Sequence, residues 1–147
     1  MQKLMPTSYL LIGILSSIVL HFIFPVTYII NPPWHLTGLL PILFGIGINI
    51  SADRAFKKVK TTVKPFEKSS ALIQGGVFKL SRNPMYLGFV AILIGIAILL
   101  RSLSPFFMLV LFAILMEFIF IRSEERMLQE EFGDVWEQYR LRVRKWI

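Results

Sequence analysis

Four apolar stretches dominate the chain. They run from about Ser8 to Ile30, Leu36 to Ile50, Tyr86 to Leu100 and Pro105 to Ile121. A helix needs roughly 20 residues to cross a bilayer unaided. The shorter stretches gain the missing turns from their flanks, where Lys or Arg can snorkel to the interface. Pro41 predicts a kink in the second span or a place near its start. Small residues recur at helical spacing in two stretches: Gly38, Gly45 and Asn49 in the second, and Gly88, Ala91 and Gly95 in the third. Such stripes let helix backbones approach closely in lipid.

The charges are sorted by side. The turn Asn31 to Thr37 holds no Lys or Arg, and the turn near Arg101 to Ser104 holds one. The stretch Ser51 to Pro84 holds Arg54, Lys57, Lys58, Lys60, Lys64, Lys68, Lys79 and Arg82, and six more follow Ile121. With Lys3, fifteen of the sixteen basic residues fall on one side of a four-span arrangement. The positive-inside rule places both termini and the long loop in the cytoplasm. Lys3 followed by Tyr9 to Phe24 imitates a signal peptide, but Phe24-Pro25-Val26-Thr27 offers no small-x-small cleavage site. A retained first span is therefore expected.

The expected fold is all-α. It is a single integral membrane domain over residues 1–147, a bundle of about four transmembrane helices with spans near 8–30, 36–50, 86–100 and 105–121. A cytoplasmic loop covers 51–84, and a cytoplasmic amphipathic helical tail covers 122–147, broken at Gly133.

Composition narrows the function classes. The apolar fraction is 55%, above the roughly 45–50% of soluble domains. The net charge of +7 flanks apolar segments, so membrane lipids with anionic headgroups are expected as partners rather than nucleic acid. The absence of cysteine removes disulfides, thiolate metal sites and a Cys nucleophile. With only His21 and His35, a His-rich metal site and a Ser-His-Asp triad are not expected.

Two segments hold the candidate chemistry. In Ser69 to Gly88, Gly75-Gly76 permits a tight turn, Asn83 suits an N-cap, and Pro84 suits the first turn of a helix. A helix N-terminus beside Arg82 favours a carboxylate or phosphate. The alternative is an interfacial helix start with a snorkelling Arg and a Tyr anchor. In Glu117 to Arg144, Glu117 follows a long apolar run, where an acid is costly and faces a bundle interior or a wet cavity. In a continuous helix Glu117, Ile121, Glu124 and Leu128 share one stripe, with Glu125 close by. Ordinary surface pairs, such as Arg126 with Glu130, are the alternative for the remaining acids.

These two segments resemble the isoprenylcysteine carboxyl methyltransferase family and its small prokaryotic relatives, within a superfamily that includes phospholipid methyltransferases. The resemblance rests on Gly76 to Gly88, GVFKLSRNPMYLG, and on Glu124-Glu125-Arg126-Met127-Leu128, Phe132-Gly133, Trp136, Tyr139, Val143 and Trp146-Ile147. Two spans join the motifs, as in the family, and the match covers about Ser69 to Ile147. Asn83 stands where eukaryotic members have His. Trp136 stands where Tyr is expected.

The resemblance implies S-adenosylmethionine bound at the cytoplasmic face and a lipophilic acceptor entering sideways from the bilayer. The cofactor pocket would be formed by Gly76, Arg82, Asn83, Pro84, Met85, Tyr86 and Leu87 with Glu124 and Glu125. Arg82 and the helix start would hold the donor's carboxylate, and Glu124 or Glu125 its ribose hydroxyls or amino group. Tyr86 would pack on the adenine or donate a hydrogen bond. No strand-Gly-x-Gly motif competes as a nucleotide site.

The candidate catalytic residues are Glu117, Arg122, Glu124 and Arg126. Arg122 or Arg126 would orient a carboxylate acceptor such as an isoprenylcysteine, which needs no base. Glu117 or Glu124 would deprotonate an amine acceptor, the phospholipid N-methyltransferase alternative. A small four-helix transporter is the alternative from another class. It is disfavoured because the first three spans carry no acid.

Overall fold

The computed structural model describes residues 5–60 and 69–147. Lys3, Lys64 and Lys68 of the charge pattern lie outside the described residues. Helix α1 spans Pro6–Ile23 and opens on a proline, whose missing amide costs nothing in the first turn. It ends well before the expected Ile30. Pro25 cannot supply an amide, and it drives the residue before it away from helical geometry. The chain then runs non-helically, and Tyr28 pairs antiparallel with Ser102. The Ile29 amide donates to the Arg101 carbonyl at 2.9 Å, and the Leu103 amide to that of Thr27 at 3.0 Å.

A 3-10 turn at Trp34–Gly38 leads into α2, Leu39–Lys58. Pro41 sits near the start of this helix, one of the two places its chemistry allows. The helix continues past Ile50 to Lys58, so Arg54, Lys57 and Lys58 extend the helix instead of opening a loop. An Asp53–Lys57 pair at 2.6 Å, one turn apart, supports this polar extension.

Helix α3, Pro84–Leu100, has 17 residues, a length of ~25 Å at 1.5 Å per residue. Helix α4, Ser104–Met116, passes through a π-helical turn at Glu117–Ile121 into α5, Arg122–Arg142. The wider turn breaks the α-helical phase between Glu117 and Glu124, and Glu117 pairs with Arg122, five residues on, at 3.4 Å. Gly133, at φ 47° and ψ −119°, kinks α5 where the sequence places its break.

The protein is an all-α membrane bundle. Among the described residues three helical segments are long and apolar enough to cross a bilayer: Pro6–Ile23, Trp34–Lys58 and Ser104–Arg142. The shorter α3 is the central helix, buried along most of its length. Its Gly88 abuts Gly45 of α2, and its Gly95 abuts Gly38 of the 3-10 turn before α2, backbone to backbone, while Gly13 of α1 rests on Leu93 and Phe112. Along the apolar parts of α1, α2 and α4 many large apolar side chains remain exposed, among them Phe22, Leu40 and Phe107. That surface suits lipid, where helices associate by close packing of small residues.

Two cores result. Leu10, Phe89, Leu93, Phe112, Met116 and Phe120 pack between the spans. Ala52, Phe78, Trp136 and Tyr139 pack at the end where α5 folds back.

Candidate active site

The corner before α3 is fixed by its neighbours. Gly76, at φ +60°, takes a left-handed turn that a side chain would strain. The turn Gly76–Lys79 then buries Phe78, whose carbonyl accepts from the Tyr139 hydroxyl at 2.6 Å. Burial pushes the Tyr139 phenol up to about 12, so it stays protonated and donates. The Ser81 hydroxyl accepts from the Asn83 amide at 3.1 Å and donates to the Lys145 carbonyl at 3.0 Å. The Arg82 amide donates to the Arg144 carbonyl at 3.0 Å. Asn83 occupies the N-cap position, but its side chain does not cap the helix. It donates instead to the Lys145 carbonyl at 3.2 Å and to Glu125 at 3.5 Å.

Arg82 is nearly enclosed. One terminal nitrogen stands 3.3 Å from Glu125 Oε1, and the guanidinium lies over Trp136, 5.5 Å from the ring centre. Its Nε and Nη1 are buried and have no partner among the described residues. Unmet donors on a buried cation are costly, so this arrangement suits an anionic group supplied from outside.

Across the site, the Tyr86 hydroxyl donates to Glu124 Oε1 at 2.6 Å. Tyr86 is itself held by stacking on Phe120, 6.1 Å between ring centres. Glu124 belongs to α5, beyond the apolar part of its helix. Burial pushes its carboxyl up to about 7; the Tyr86 hydrogen bond opposes the rise, and the charge of Glu125 adds to it.

Arg82, Asn83, Pro84, Met85, Tyr86 and Glu124 all line one cavity of about 700 Å³. That lies within the roughly 300–1,000 Å³ of small-molecule sites. Its apolar wall includes Phe56, Phe89 and Trp136, and Met5, Pro6 and Thr7 at the start of α1 border it. Glu130 and Glu131 add acidic character.

The remaining sequence candidates stand elsewhere. Gly76 shapes the turn and Leu87 is buried in α3, neither on the cavity wall. Glu125 is not on the wall either; it braces Arg82 and Asn83 from behind. Glu117 pairs with Arg122 and with Lys145, away from the cavity, and Arg126 is exposed. The π turn separates Glu117 from Glu124, because it breaks the stripe that uninterrupted α geometry would give.

Three contributors were not singled out as site residues: Lys145, whose carbonyl and ammonium both serve the corner, and Trp136 and Tyr139, which build its floor. The last two stood in the family-like pattern. Lys145 carries no local signal. Among the described residues no group of three His, Asp or Glu side chains is placed to hold a metal ion.

The class the fold defines is an all-α membrane bundle with a charged pocket at one end of its helices. The sequence model of the phospholipid methyltransferase family matches residues 33–135, and the chain belongs to that family. It is thus a membrane methyltransferase. No curated protein and no solved structure matches it.

Proposed function

We propose that the protein transfers a methyl group from S-adenosylmethionine to a lipophilic acceptor at the cytoplasmic face of the membrane. The observation that carries this reading is that buried Arg82, two of whose nitrogens have no partner among the described residues, lines the same cavity as Glu124. The site fits the donor. Arg82 would take its carboxylate by charge-assisted hydrogen bonds. Glu130 or Glu131 would suit its ammonium group, and Trp136 or Phe56 would face its adenine. When bound, S-adenosylmethionine supplies a methyl group on a positively charged sulfur.

This chain's residues supply orientation and exclusion of water, the two main requirements of an in-line displacement. Arg82, braced by Glu125 and Trp136, fixes one end of the cavity. The apolar wall keeps the other end dry. The start of α1 beside Phe89 offers an acceptor a route from the bilayer.

The geometry favours an amine acceptor over the carboxylate of an isoprenylcysteine-like molecule. Arg122 and Arg126, the side chains suited to orient a carboxylate, stand outside the cavity, whereas Glu124 lines it. An ammonium must lose a proton before its nitrogen attacks. Tyr86 donates to Glu124 Oε1 and leaves Oε2 to accept that proton. With its carboxyl raised to about 7, Glu124 is matched to the task at neutral pH. Charge sorting, with the basic residues at the cavity end, supports a cytoplasmic site.

The test is incubation of the purified protein with donor labelled in its methyl group and a total extract of bacterial lipids. A labelled amine headgroup supports the reading in full. A labelled ester places the acceptor among carboxylates. No labelled lipid, together with no calorimetric binding of S-adenosylhomocysteine in detergent or nanodiscs, overturns it.

A further inference from the structure

The opposite end of the bundle carries a second polar construction that methyl transfer does not use. Arg101 terminates α3 in a left-handed conformation, φ +69°. Glycine takes this helix-ending position at least cost, so an arginine here is held against its backbone preference. The side chain is correspondingly organised. Arg101 Nε donates to the Ile30 carbonyl at 3.0 Å, and the guanidinium lies over the Tyr28 ring, 5.5 Å from its centre.

Tyr28 is in turn fixed by the bridge to Ser102 and by an edge contact with the His21 ring, 5.9 Å away. His21 Nδ1 and the buried Ser102 hydroxyl share a hydrogen bond of 2.7 Å. These groups surround a shallow cup of about 280 Å³, lined by His21, Tyr28, Leu99, Leu100 and Arg101.

Among the described residues, Arg101 is in contact with no carboxylate, and no other Lys or Arg lies at this end of the spans. The site is ~25 Å along α3 from the Arg82 corner, at the far headgroup level of a hydrocarbon layer roughly 30 Å thick. A guanidinium in that position, fixed at Nε and with terminal nitrogens left to bind, matches a phosphate oxyanion. The cup holds a headgroup and not a whole lipid. Exposed Phe22, Ile23 and Phe24 lie beside it, where acyl chains would run.

We propose that Arg101, Tyr28 and His21 form a binding site for the phosphate of an anionic lipid in the leaflet opposite the catalytic cavity. Arg101 supplies the charge. The Tyr28 hydroxyl supplies a second donor, and its ring keeps the guanidinium aligned. The site is independent of the methyltransferase reading, because none of its residues lines the larger cavity.

The test is native mass spectrometry of delipidated protein titrated with phosphatidylglycerol, with phosphatidylcholine and, separately, with inorganic phosphate. The wild type is expected to retain one phosphatidylglycerol in preference to phosphatidylcholine. R101Q should weaken that retention by roughly tenfold or more, as expected for one charge-assisted hydrogen bond. R101K should fall between the two. Y28F, which keeps the ring and removes only the hydroxyl, should weaken retention severalfold and covers the case in which R101Q does not fold. Competition by millimolar inorganic phosphate would show that the phosphate group alone is recognised; its failure to compete would show that the acyl chains contribute. Equal retention by wild type, R101Q and Y28F would overturn the proposal, as would equal retention of both lipids.

Discussion

Lys145, the third residue from the end of the sequence, reaches back to two acids of the α4–α5 rod. Its ammonium stands 2.8 Å from Glu117 Oε1 and 3.5 Å from Glu125 Oε2. Its carbonyl accepts from both Ser81 and Asn83. The last residues therefore form a strap across the corner that presents Arg82. Because Glu125 is shared between Lys145 and Arg82, its charge is partly drawn away from the guanidinium. K145M removes the ammonium but leaves the carbonyl. Glu125 should then pair more fully with Arg82, and affinity for S-adenosylhomocysteine should fall by roughly tenfold, the scale of one charge-assisted hydrogen bond. K145R should restore most of it. Unchanged affinity in K145M, measured by calorimetry, would mean that the strap only holds the fold.

Arg82 offers a sharper contrast between charge and shape. Arg82→Lys keeps the positive charge but loses the planar fork and its position over Trp136, 5.5 Å away in the wild type. It should lose binding of S-adenosylhomocysteine nearly as fully as Arg82→Gln, by roughly tenfold to a hundredfold on the scale of charge-assisted hydrogen bonds. When no ligand is present Arg82→Lys should melt closer to wild type than Arg82→Gln, since lysine keeps a charge for Glu125, 3.3 Å from the wild-type guanidinium. Full binding by the Lys variant would show that charge alone suffices.

The sequence made the bundle legible because lipid-facing helices announce themselves by length and apolarity. Gly38, Gly45, Gly88 and Gly95 even marked which faces meet. That Arg82, Asn83 and Tyr86 stand together on the cavity wall was legible because turn chemistry and the family pattern coincide there. Glu117 was not, because the π turn at Glu117–Ile121 changes the helical phase and no residue type announces it. Lys145 was not, because its role depends on the chain folding back over more than sixty residues to Ser81. The end of α1 was misjudged because apolar residues 24–30 satisfy their backbone partly against Arg101 to Leu103 instead of within a helix.

Glu124 gives the site a pH signature. Its carboxyl is raised from 4.5 to about 7, so the folded protein binds this proton more tightly than the unfolded chain. Its contribution to stability is fully present below about 4.5 and is lost as pH rises to about 7. E124Q should flatten that part of the stability profile, followed by thermal melting in detergent. Amine methylation should behave in the opposite sense, because the base must be ionised. Below about pH 7 the wild-type rate should fall tenfold per pH unit, provided the proton-transfer step limits it. E124Q should be nearly inactive and lack this limb. A rate that is flat between pH 5 and 8 in both proteins would remove Glu124 as the base.

The α2–α3 seam should be intolerant of volume at one glycine and tolerant at another. A Cβ on Gly95 would meet the Gly38 carbonyl, a backbone atom that cannot turn aside. Gly95→Val is expected to destabilise by about 1–3 kcal/mol, the usual cost of overpacking. A Cβ on Gly47 would meet nothing within 4 Å. Gly47→Ala should therefore be neutral or slightly stabilising, since alanine is the better helix former. Equal melting temperatures for the two variants would contradict the observed packing of α2 on α3.

The orientation in the bilayer has a direct test, because the chain contains no cysteine and every engineered thiol is unique. Trp34, 70% exposed, lies at the Arg101 end of the spans, and Leu141, 79% exposed, lies on α5 at the cavity end. A membrane-impermeant maleimide applied to intact spheroplasts should label W34C and spare L141C. L141C should react only after the membrane is opened. The basic residues near the cavity require this outcome if the positive-inside rule sets the topology. Labelling of L141C in sealed cells, with W34C protected, would place the Arg82 cavity outside and deprive the proposed reaction of a cytosolic methyl donor.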